Sequence, residues 1–588
     1  MRGQNKARSS EPGFFIRIII NMFRTNNIFF IKTILLGILV VLIISIGILS
    51  LVPPVSKDAL VHHLVVPKLY LKHGGMYEIP SIIFSYHPMN LHLLYMIPLY
   101  FGNDIVPKFI HFGFALLTAG LIYHFLKRRL NSIYALFGVI FFLSVPIILK
   151  LSTIAYIDLG VIFFSTAAVF LLMKWIETDF KLKHLILSAV ACGLAMGTKY
   201  NGLVTCFLLT LFVPFLYSRY SRTEKPGFFR PLGNGALFFL IALTVFSPWM
   251  IRNYHWKNNP IYPFYHKWFN TYATKTAVKD VFAKGIPEKV KKKGSPGLFD
   301  RRSFLYHEKW WQIAALPVRI FFQGKDGSPQ FFDGKLNPFL LFLPFFAFYR
   351  KRDNPQVVRT EKVIMLAFVL LFFGFAFFTS VLRIRYISPI IPFLVILSVF
   401  GVKGMIDTTR KFSRRLTRQT GFALIFLLLA FSLVLNAGYI VKQFRHVDPF
   451  SYISGTLSRD EYITKYRFEY PAFQYVNKNL PVDALILFLF MGKRGYYCDR
   501  NYIPDTVEQL NRLYRLIKRS SDPQKVFLGL RKKGVTHLLI HIGFFNNWVR
   551  DSFVIEKQRL LHGFAKNHLN LLYLKNGVGV FSLKGATL

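Results

Sequence analysis

Four charged side chains stand where long apolar stretches end. Asp158 closes Ser152-Thr-Ile-Ala-Tyr-Ile-Asp158, Lys199 lies in Gly197-Thr-Lys199-Tyr-Asn-Gly202, and Arg383 and Arg385 share Arg383-Ile-Arg385-Tyr386. Asp58 opens a further segment, Asp58-Ala-Leu-Val-His62-His63, with an imidazole one helical turn on. A carboxylate within reach of a hydroxyl can take its proton. Lys offers a point charge and Arg a planar fork, and both suit phosphate. Each residue also has a plainer reading. A lone Lys or Arg can snorkel to headgroups, and Asp58 can be no more than a charge favoured at a helix N-terminus. One acid and three cations on one level nevertheless point to a shared site, because charges at membrane depth are expensive unless paired or functional.

A metal centre is the weaker alternative. Asp58 and His62 are four apart, and His63, His87 and His92 are near in sequence, but no HExxH pattern occurs. The oxygens of Asp58, Glu78, Asp104 and Asp158 are too scattered along the chain to compose a hard-cation site. The expectation is no metal and no cofactor, a divalent cation having no support in the spacing.

The elements that must position these residues are membrane helices. Of the 588 residues, 53% are hydrophobic and 17% charged, against about 25% charged in a soluble protein. That excludes a single soluble domain, a disordered chain and a fibrous repeat. The formal net charge is +46, and its basic residues fall in short clusters between apolar runs. This is the pattern of cytoplasmic loops rather than of a nucleic-acid-binding surface, so no nucleic-acid partner is expected. Cys192, Cys206 and Cys498 are too few and too far apart for a disulfide framework.

A spanning helix needs roughly 20 apolar residues. Apolar runs lie at 34–52, 106–126, 133–149, 156–173, 185–196, 201–217, 235–251, 338–348, 363–379, 387–402 and 422–440, about eleven spans. Segment 1–32 is basic (Arg2, Lys6, Arg8, Arg17, Arg24, Lys32) and has no small-residue cleavage site, so it reads as a retained cytoplasmic segment. Every second loop is also basic: Lys127 to Arg129; Lys174, Lys181 and Lys183; Arg219, Arg222, Lys225 and Arg230; Arg350, Lys351, Arg352, Arg359 and Lys362; Lys403, Arg410, Lys411, Arg414, Arg415 and Arg418. These loops are expected to be cytoplasmic. The expected architecture is an α-helical polytopic membrane domain, 33–440, with large outer loops 53–105 and 252–337, and then an extracytoplasmic α/β domain, 441–588.

Within the first outer loop, Val61, Leu64, Val65 and Leu69 have helical spacing, Pro67 predicts a kink, and Gly74-Gly75 ends the segment. The result is a short helix in the membrane interface. In the tail, 484–490 and 536–542 read as buried strands, 506–520 and 522–533 as helices, and 570–584 as a hairpin turning at Asn576-Gly577.

An acidic residue at the start of the first outer loop, followed by an interfacial helix, resembles the GT-C glycosyltransferase superfamily. The closest likeness is to the bacterial branch related to protein O-mannosyltransferases and the lipid A aminoarabinose transferase. The stretches that carry it include Asp58-Ala-Leu-Val-His-His-Leu-Val-Val-Pro-Lys-Leu-Tyr70, Tyr86-His-Pro-Met-Asn-Leu-His-Leu-Leu-Tyr95 and Ala155-Tyr-Ile-Asp158. Gly197-Thr-Lys-Tyr200, Ser247-Pro-Trp-Met-Ile-Arg-Asn253, Asn259-Pro-Ile-Tyr-Pro-Phe264 and Arg385-Tyr-Ile-Ser-Pro-Ile-Ile-Pro392 extend it over roughly the first 400 residues. The resemblance implies transfer of a hexosyl or pentosyl unit from a polyprenyl-phosphate donor to a glycan, lipid or protein acceptor. It places the reaction at the outer face of a bacterial inner membrane, among membrane lipids. It also implies Asp58 as the catalytic residue. Many relatives carry a second acid beside it; here Lys57 and Ala59 flank Asp58, so the paired motif is absent.

The expected site residues are therefore Asp58 and Asp158 as catalytic groups, with Lys199, Arg383, Arg385, His62, Tyr86 and Tyr386 binding substrate. A phosphate leaving group needs cations rather than a second carboxylic acid. The runner-up is a transporter of a lipid-linked or anionic substrate, which would show repeats with broken helices meeting at mid-membrane; no repeat is evident. A scaffold acting through its tail is a third possibility, against which Asp58 and the outer arginines argue.

The charge bias makes a checkable expectation. A reporter fused after Val441 should read out as extracytoplasmic; a cytoplasmic signal would overturn both the span assignment and the outer-level site.

Overall fold

The apolar runs fold as helices, and their polar edges collect at one end of the bundle. The structure, a computed structural model, describes residues 28–221, 227–269, 298–349, 356–378 and 382–584. Of the cations used above for orientation, Arg2, Lys6, Arg8, Arg17, Arg24, Arg222, Lys225, Arg350, Lys351 and Arg352 lie outside the described residues, as does residue 379. The first span is α1, Ile28–Ser50. In the first outer loop come α2, Val65–His73, and α3, Asn90–Tyr100. The bundle continues with α4 (Val106–Arg129), α5 (Ser132–Ser144), α6 (Pro146–Ser152), α7 (Asp158–Glu177), α8 (Leu182–Thr198), α9 (Gly202–Tyr220) and α10 (Phe229–Lys257). It closes with α11 (Phe339–Phe346), α12 (Gln356–Phe377), α13 (Ile391–Arg410) and α14 (Arg415–Val447).

Among the described residues, eight of these helices are long and apolar enough to cross a membrane, and α5 with α6 makes a ninth if counted as one span. That pair is bent by 69°. The cause is Pro146, which drives Val145 out of the helical region to φ −54, ψ 126. Two of the eleven expected spans are short. Helix α8 has 17 residues and α11 only 8, and at about 1.5 Å per residue α11 cannot cross a core of about 30 Å.

The breaks in the bundle place these charges at one end. Between α8 and α9 the backbone turns at Lys199, which is extended at φ −161, ψ 145. A Cβ on Gly202 would lie 2.4 Å from the Ala195 backbone, so glycine is what lets the chain turn back this tightly. Arg383 is extended (φ −125, ψ 144) and Arg385 sits in a single 3-10 turn, Ile384–Tyr386, just ahead of α13. Two residues apart on a regular helix would diverge by about 200°; this irregular backbone lets both reach one region. The helix predicted after Asp58 is present, but its break falls earlier than Pro67. A π-turn spans Ala59–His63 and gives way at Leu64, so Pro67 lies in the first turn of α2, where it removes no needed donor. Gly74, at φ 80, caps α2 in the left-handed region.

The tail is an α/β unit. After α15 (Arg459–Tyr466) and α16 (Tyr470–Asn479) come β1 (Leu485–Leu489), β2 (Asn501–Ile503), α17 (Val507–Arg519), α18 (Pro523–Arg531) and β3 (His537–His541). Helices α19 (Ile542–Ser552) and α20 (Ile555–His568) precede the hairpin of β4 (Leu569–Lys575) and β5 (Val578–Leu583). The sheet order is β2-β1-β3-β5-β4, with β1 parallel to both neighbours and β5 antiparallel to both of its own. Asn576 and Gly577 turn the hairpin at φ 52 and 74, the double left-handed conformation of a primed turn. This domain rests on the first outer loop: Lys68 pairs with Asp499 at 2.7 Å and Arg459 with Asp104 at 2.6 Å.

Candidate active site

The segment after α1 has no helix or strand through residue 56, and Asp58 stands at the N-cap of the π-turn in helical conformation. Its carboxylate makes no capping hydrogen bond there. The N-terminal helix-charge reading of Asp58 therefore yields to a different contact. Asp58 Oδ2 lies 2.7 Å from Arg385 Nη1, across more than half of the chain. The Asp58 amide donates to Tyr156 Oη at 3.4 Å. Burial works to raise the Asp58 pKa, but Arg385, with His62 and Arg383, outweighs it and holds the carboxyl below its ordinary value.

A second pair lies beside the first. Lys199 Nζ donates to Asp158 Oδ1 at 2.6 Å. The Asp158 side chain is 1% exposed, and its Oδ2 has no partner among the described residues. His111 on α4 fixes the start of α7 by accepting from the Leu159 amide at 2.9 Å. The third outer cation, Arg383, lies 3.3 Å from Asp333. Asp333 also accepts from the Gly327 amide, and Lys150 is 3.8 Å away.

One ring joins these pairs. Lys199 Nζ is 5.2 Å from the centre of Tyr386, and the guanidinium carbons of Arg385 and Arg383 are 5.4 and 6.0 Å from it. Asn201 tethers the Tyr386 carbonyl at 3.1 Å, and Arg385 also lies 5.4 Å from Tyr156. Three cations thus face one aromatic ring, each with a carboxylate at its back. Such an arrangement can accept a doubly charged oxyanion by exchanging carboxylate for phosphate on Arg and Lys.

The histidines form a buried, neutral wall. The His62 and His63 rings lie 4.0 Å apart, tilted by 47°, and His63 shares a 2.9 Å hydrogen bond with His92. Burial pushes His62 down to about 4, against the pull of Asp58, and pushes His87 down to about 3. His62 Nδ1 is buried and without a partner among the described residues. Among those residues, no group of three or more His, Cys, Asp or Glu side chains is placed to hold a metal ion.

Tyr86 stands apart from the ring. Its hydroxyl donates to Glu78 at 2.5 Å, Lys257 pairs with the same carboxylate, and its ring packs on Tyr262. Sequence reasoning missed Tyr156, Asp333 and Arg252 as members of the site region. Arg252 donates to the His87 carbonyl at 3.0 Å, lies between Trp249 and Trp256 at 4.8 and 5.0 Å, and has a buried Nη1 with no partner among the described residues. A signal for it existed: like Lys199 and Arg385, it is a cation at the end of an apolar run.

Residues 93–251 match the family model described as dolichyl-phosphate-mannose-protein mannosyltransferase, roughly a quarter of the chain. No curated protein matches the sequence. Among solved structures, the chain is similar to ArnT from Cupriavidus metallidurans bound to undecaprenyl phosphate. Identity is 15% and the TM-score 0.54, with 94% of this chain and 98% of that one covered. The apo structure of the same protein matches at 14% identity and a TM-score of 0.51, covering 93% and 97%. These likenesses establish a shared fold, tail domain included. With the family match, they point to the GT-C glycosyltransferase superfamily, as the outer-loop residues imply.

The Lys199–Asp158 pair makes a prediction of its own. Breaking a buried pair from one side costs about 3–5 kcal/mol, because the remaining charge is stranded. Lys199→Met or Asp158→Leu alone should lower the thermal unfolding midpoint in detergent clearly, and the double variant should recover part of the loss. Additive losses would show that the two side chains do not depend on each other.

Proposed function

We propose that this chain is a membrane glycosyltransferase that moves a sugar from a polyprenyl-phosphate donor to an acceptor at the extracytoplasmic face, with Asp58 as the general base. The observation that carries the reading is the Asp58–Arg385 contact inside a ring of cations around Tyr386. The likeness to a protein solved with undecaprenyl phosphate, and the family match, support a lipid-linked donor.

The donor phosphate seats on Arg385 and Lys199, with Arg383 as a further cation at the Tyr386 ring. Arg385 then turns from Asp58 to the phosphate. The freed carboxylate, now beside the singly charged phosphodiester rather than a guanidinium, becomes a stronger base. It takes the proton of the acceptor hydroxyl. The acceptor oxygen bonds to the anomeric carbon, the bond from that carbon to the phosphate oxygen breaks, and the polyprenyl phosphate leaves with the electron pair. Arg385 and Lys199 stabilise the charge that develops on it. Asp158 holds Lys199 in place and so acts through it. The chain's own cations are placed for this charge, so no step is routed through a metal.

A transporter is less well supported. Asp58, Asp158, Lys199 and Arg385 gather at one end of the spans, in loops or at helix starts and ends, whereas a carrier site is expected near mid-membrane. The setting that fits is a bacterial inner membrane, with the N-terminus cytoplasmic and the tail domain outside.

The test is turnover of defined polyprenyl-phosphate sugars by the purified chain in liposomes. Asp58→Asn keeps the shape and removes the proton acceptor, so turnover should fall by about 10²–10⁴-fold. Affinity for polyprenyl phosphate should hold or rise, since Arg385 loses its competing carboxylate. In the unmodified protein, the acid limb of kcat/KM should lie below the ordinary carboxylate range, because the folded-state pKa of Asp58 is lowered and its basic form persists as pH falls. Near-normal turnover with Asn would return Asp58 to a structural role.

A further inference from the structure

Residues 51–56, after α1, have no helix or strand to satisfy their carbonyls, and two prolines, Pro53 and Pro54, contribute no N–H. Buried backbone oxygens of this kind need donors from elsewhere. Three side chains supply them. Lys108 on α4 donates to the Val52 carbonyl. Tyr497 Oη donates to the Pro54 carbonyl at 2.8 Å, and Arg467 Nη2 donates to the Val55 carbonyl. The last two come from the tail domain, more than 400 residues away in sequence, and Val55 is three residues before Asp58.

From this we infer that the tail domain is a positioning part of the active site: through Tyr497 and Arg467 it fixes the backbone that aims the Asp58 carboxylate. Further contacts anchor the same domain to the same loop on the other side of Asp58. Lys68 donates to the Tyr496 carbonyl at 2.7 Å and to Asp499 at 2.7 Å, and Lys72 donates to the Asp499 carbonyl at 3.0 Å. Tyr496 and Arg459 both reach Asp104 at the loop's far end, at 3.3 and 2.6 Å. The loop is thus held before, after and well beyond Asp58 by contacts from one domain. The Asp58 side chain itself pairs with Arg385 of the membrane domain. Tyr497 and Arg467 act on the backbone and not on the substrate, so they are positioning residues. A base misplaced by about 1 Å loses on the order of 10²-fold in rate while the donor still binds. The inference deepens the glycosyltransferase reading and, for its kinetic arm, rests on it.

The test uses the full chain in liposomes with Tyr497→Phe, Arg467→Met and Arg467→Lys. Tyr497→Phe removes one hydroxyl and leaves the ring, so it guards against a variant that merely fails to fold. Two measurements are made on each protein: kcat and KM for a polyprenyl-phosphate sugar, and hydrogen exchange of the amides in 56–64. The expected result is a kcat lowered by about 10-fold or more in Arg467→Met, with the donor KM changed little and partial recovery in Arg467→Lys. Faster exchange should be confined to the Asp58 turn. Unchanged exchange in Arg467→Met would overturn the positioning role whatever the activity. So would a raised KM with kcat intact, which would make the tail a substrate-binding element. Inactivity of the unmodified chain on every donor would instead count against the glycosyltransferase reading, and the exchange data would still decide the structural claim.

Discussion

A charge held at the edge of a hydrocarbon layer must be answered by another charge, and that requirement organises one end of this bundle. Removing an ion from water costs several kcal/mol even after relaxation. Here Arg385 is answered by Asp58, Lys199 by Asp158 and Arg383 by Asp333. Each pair joins segments far apart in the chain: the first loop to the 3-10 turn ahead of α13, the start of α7 to the α8–α9 turn, the large second loop to the extended lead-in at Arg383. The pairs fix the relative placement of elements whose apolar faces alone would allow sliding. They also leave the molecule poised, because a ligand that brings its own negative charge can replace a carboxylate without stranding a cation.

The same requirement explains what could be read from the sequence. Apolar runs announced the helices, and Pro146 inside one of them accounts for the 69° bend between α5 and α6. Asp158, Lys199 and Arg385 were legible because each interrupts or borders an apolar run, where a charge is costly. Asp333 was not, since it sits in a polar loop where an acid is unremarkable. Tyr156 was not either: aromatic residues make up 17% of the chain, so one tyrosine carries no signal until its hydroxyl is found facing the Asp58 amide. The grouping of three cations around Tyr386 depends on the turn at Lys199 and the irregular backbone at Arg383 to Tyr386, which periodicity does not encode.

The tail shows the same division. Strands β1 and β3 and helices α17 and α18 followed from apolar spacing; the structure adds their caps, Thr506 and Asp522 accepting from backbone amides at the helix starts. The hairpin followed from Asn576-Gly577. Strand β2, with three residues, is too short to carry a period. The docking of the tail was invisible, since Arg467 and Tyr497 are ordinary surface-type residues until the bare carbonyls of Val55 and Pro54 are seen to need them. A domain that looks separable by composition is therefore continuous with the site through a few backbone hydrogen bonds.

The central claim is that the Asp58–Arg385 pair opens to admit a phosphate. A structure of the chain in lipid nanodiscs with undecaprenyl phosphate tests it most directly. The account predicts phosphate oxygens on Arg385 and Lys199 beside Tyr386, with the Asp58 carboxylate released from Arg385 and facing the vacant acceptor side. A phosphate seated away from Tyr386, with the Asp58–Arg385 pair still closed, would contradict it.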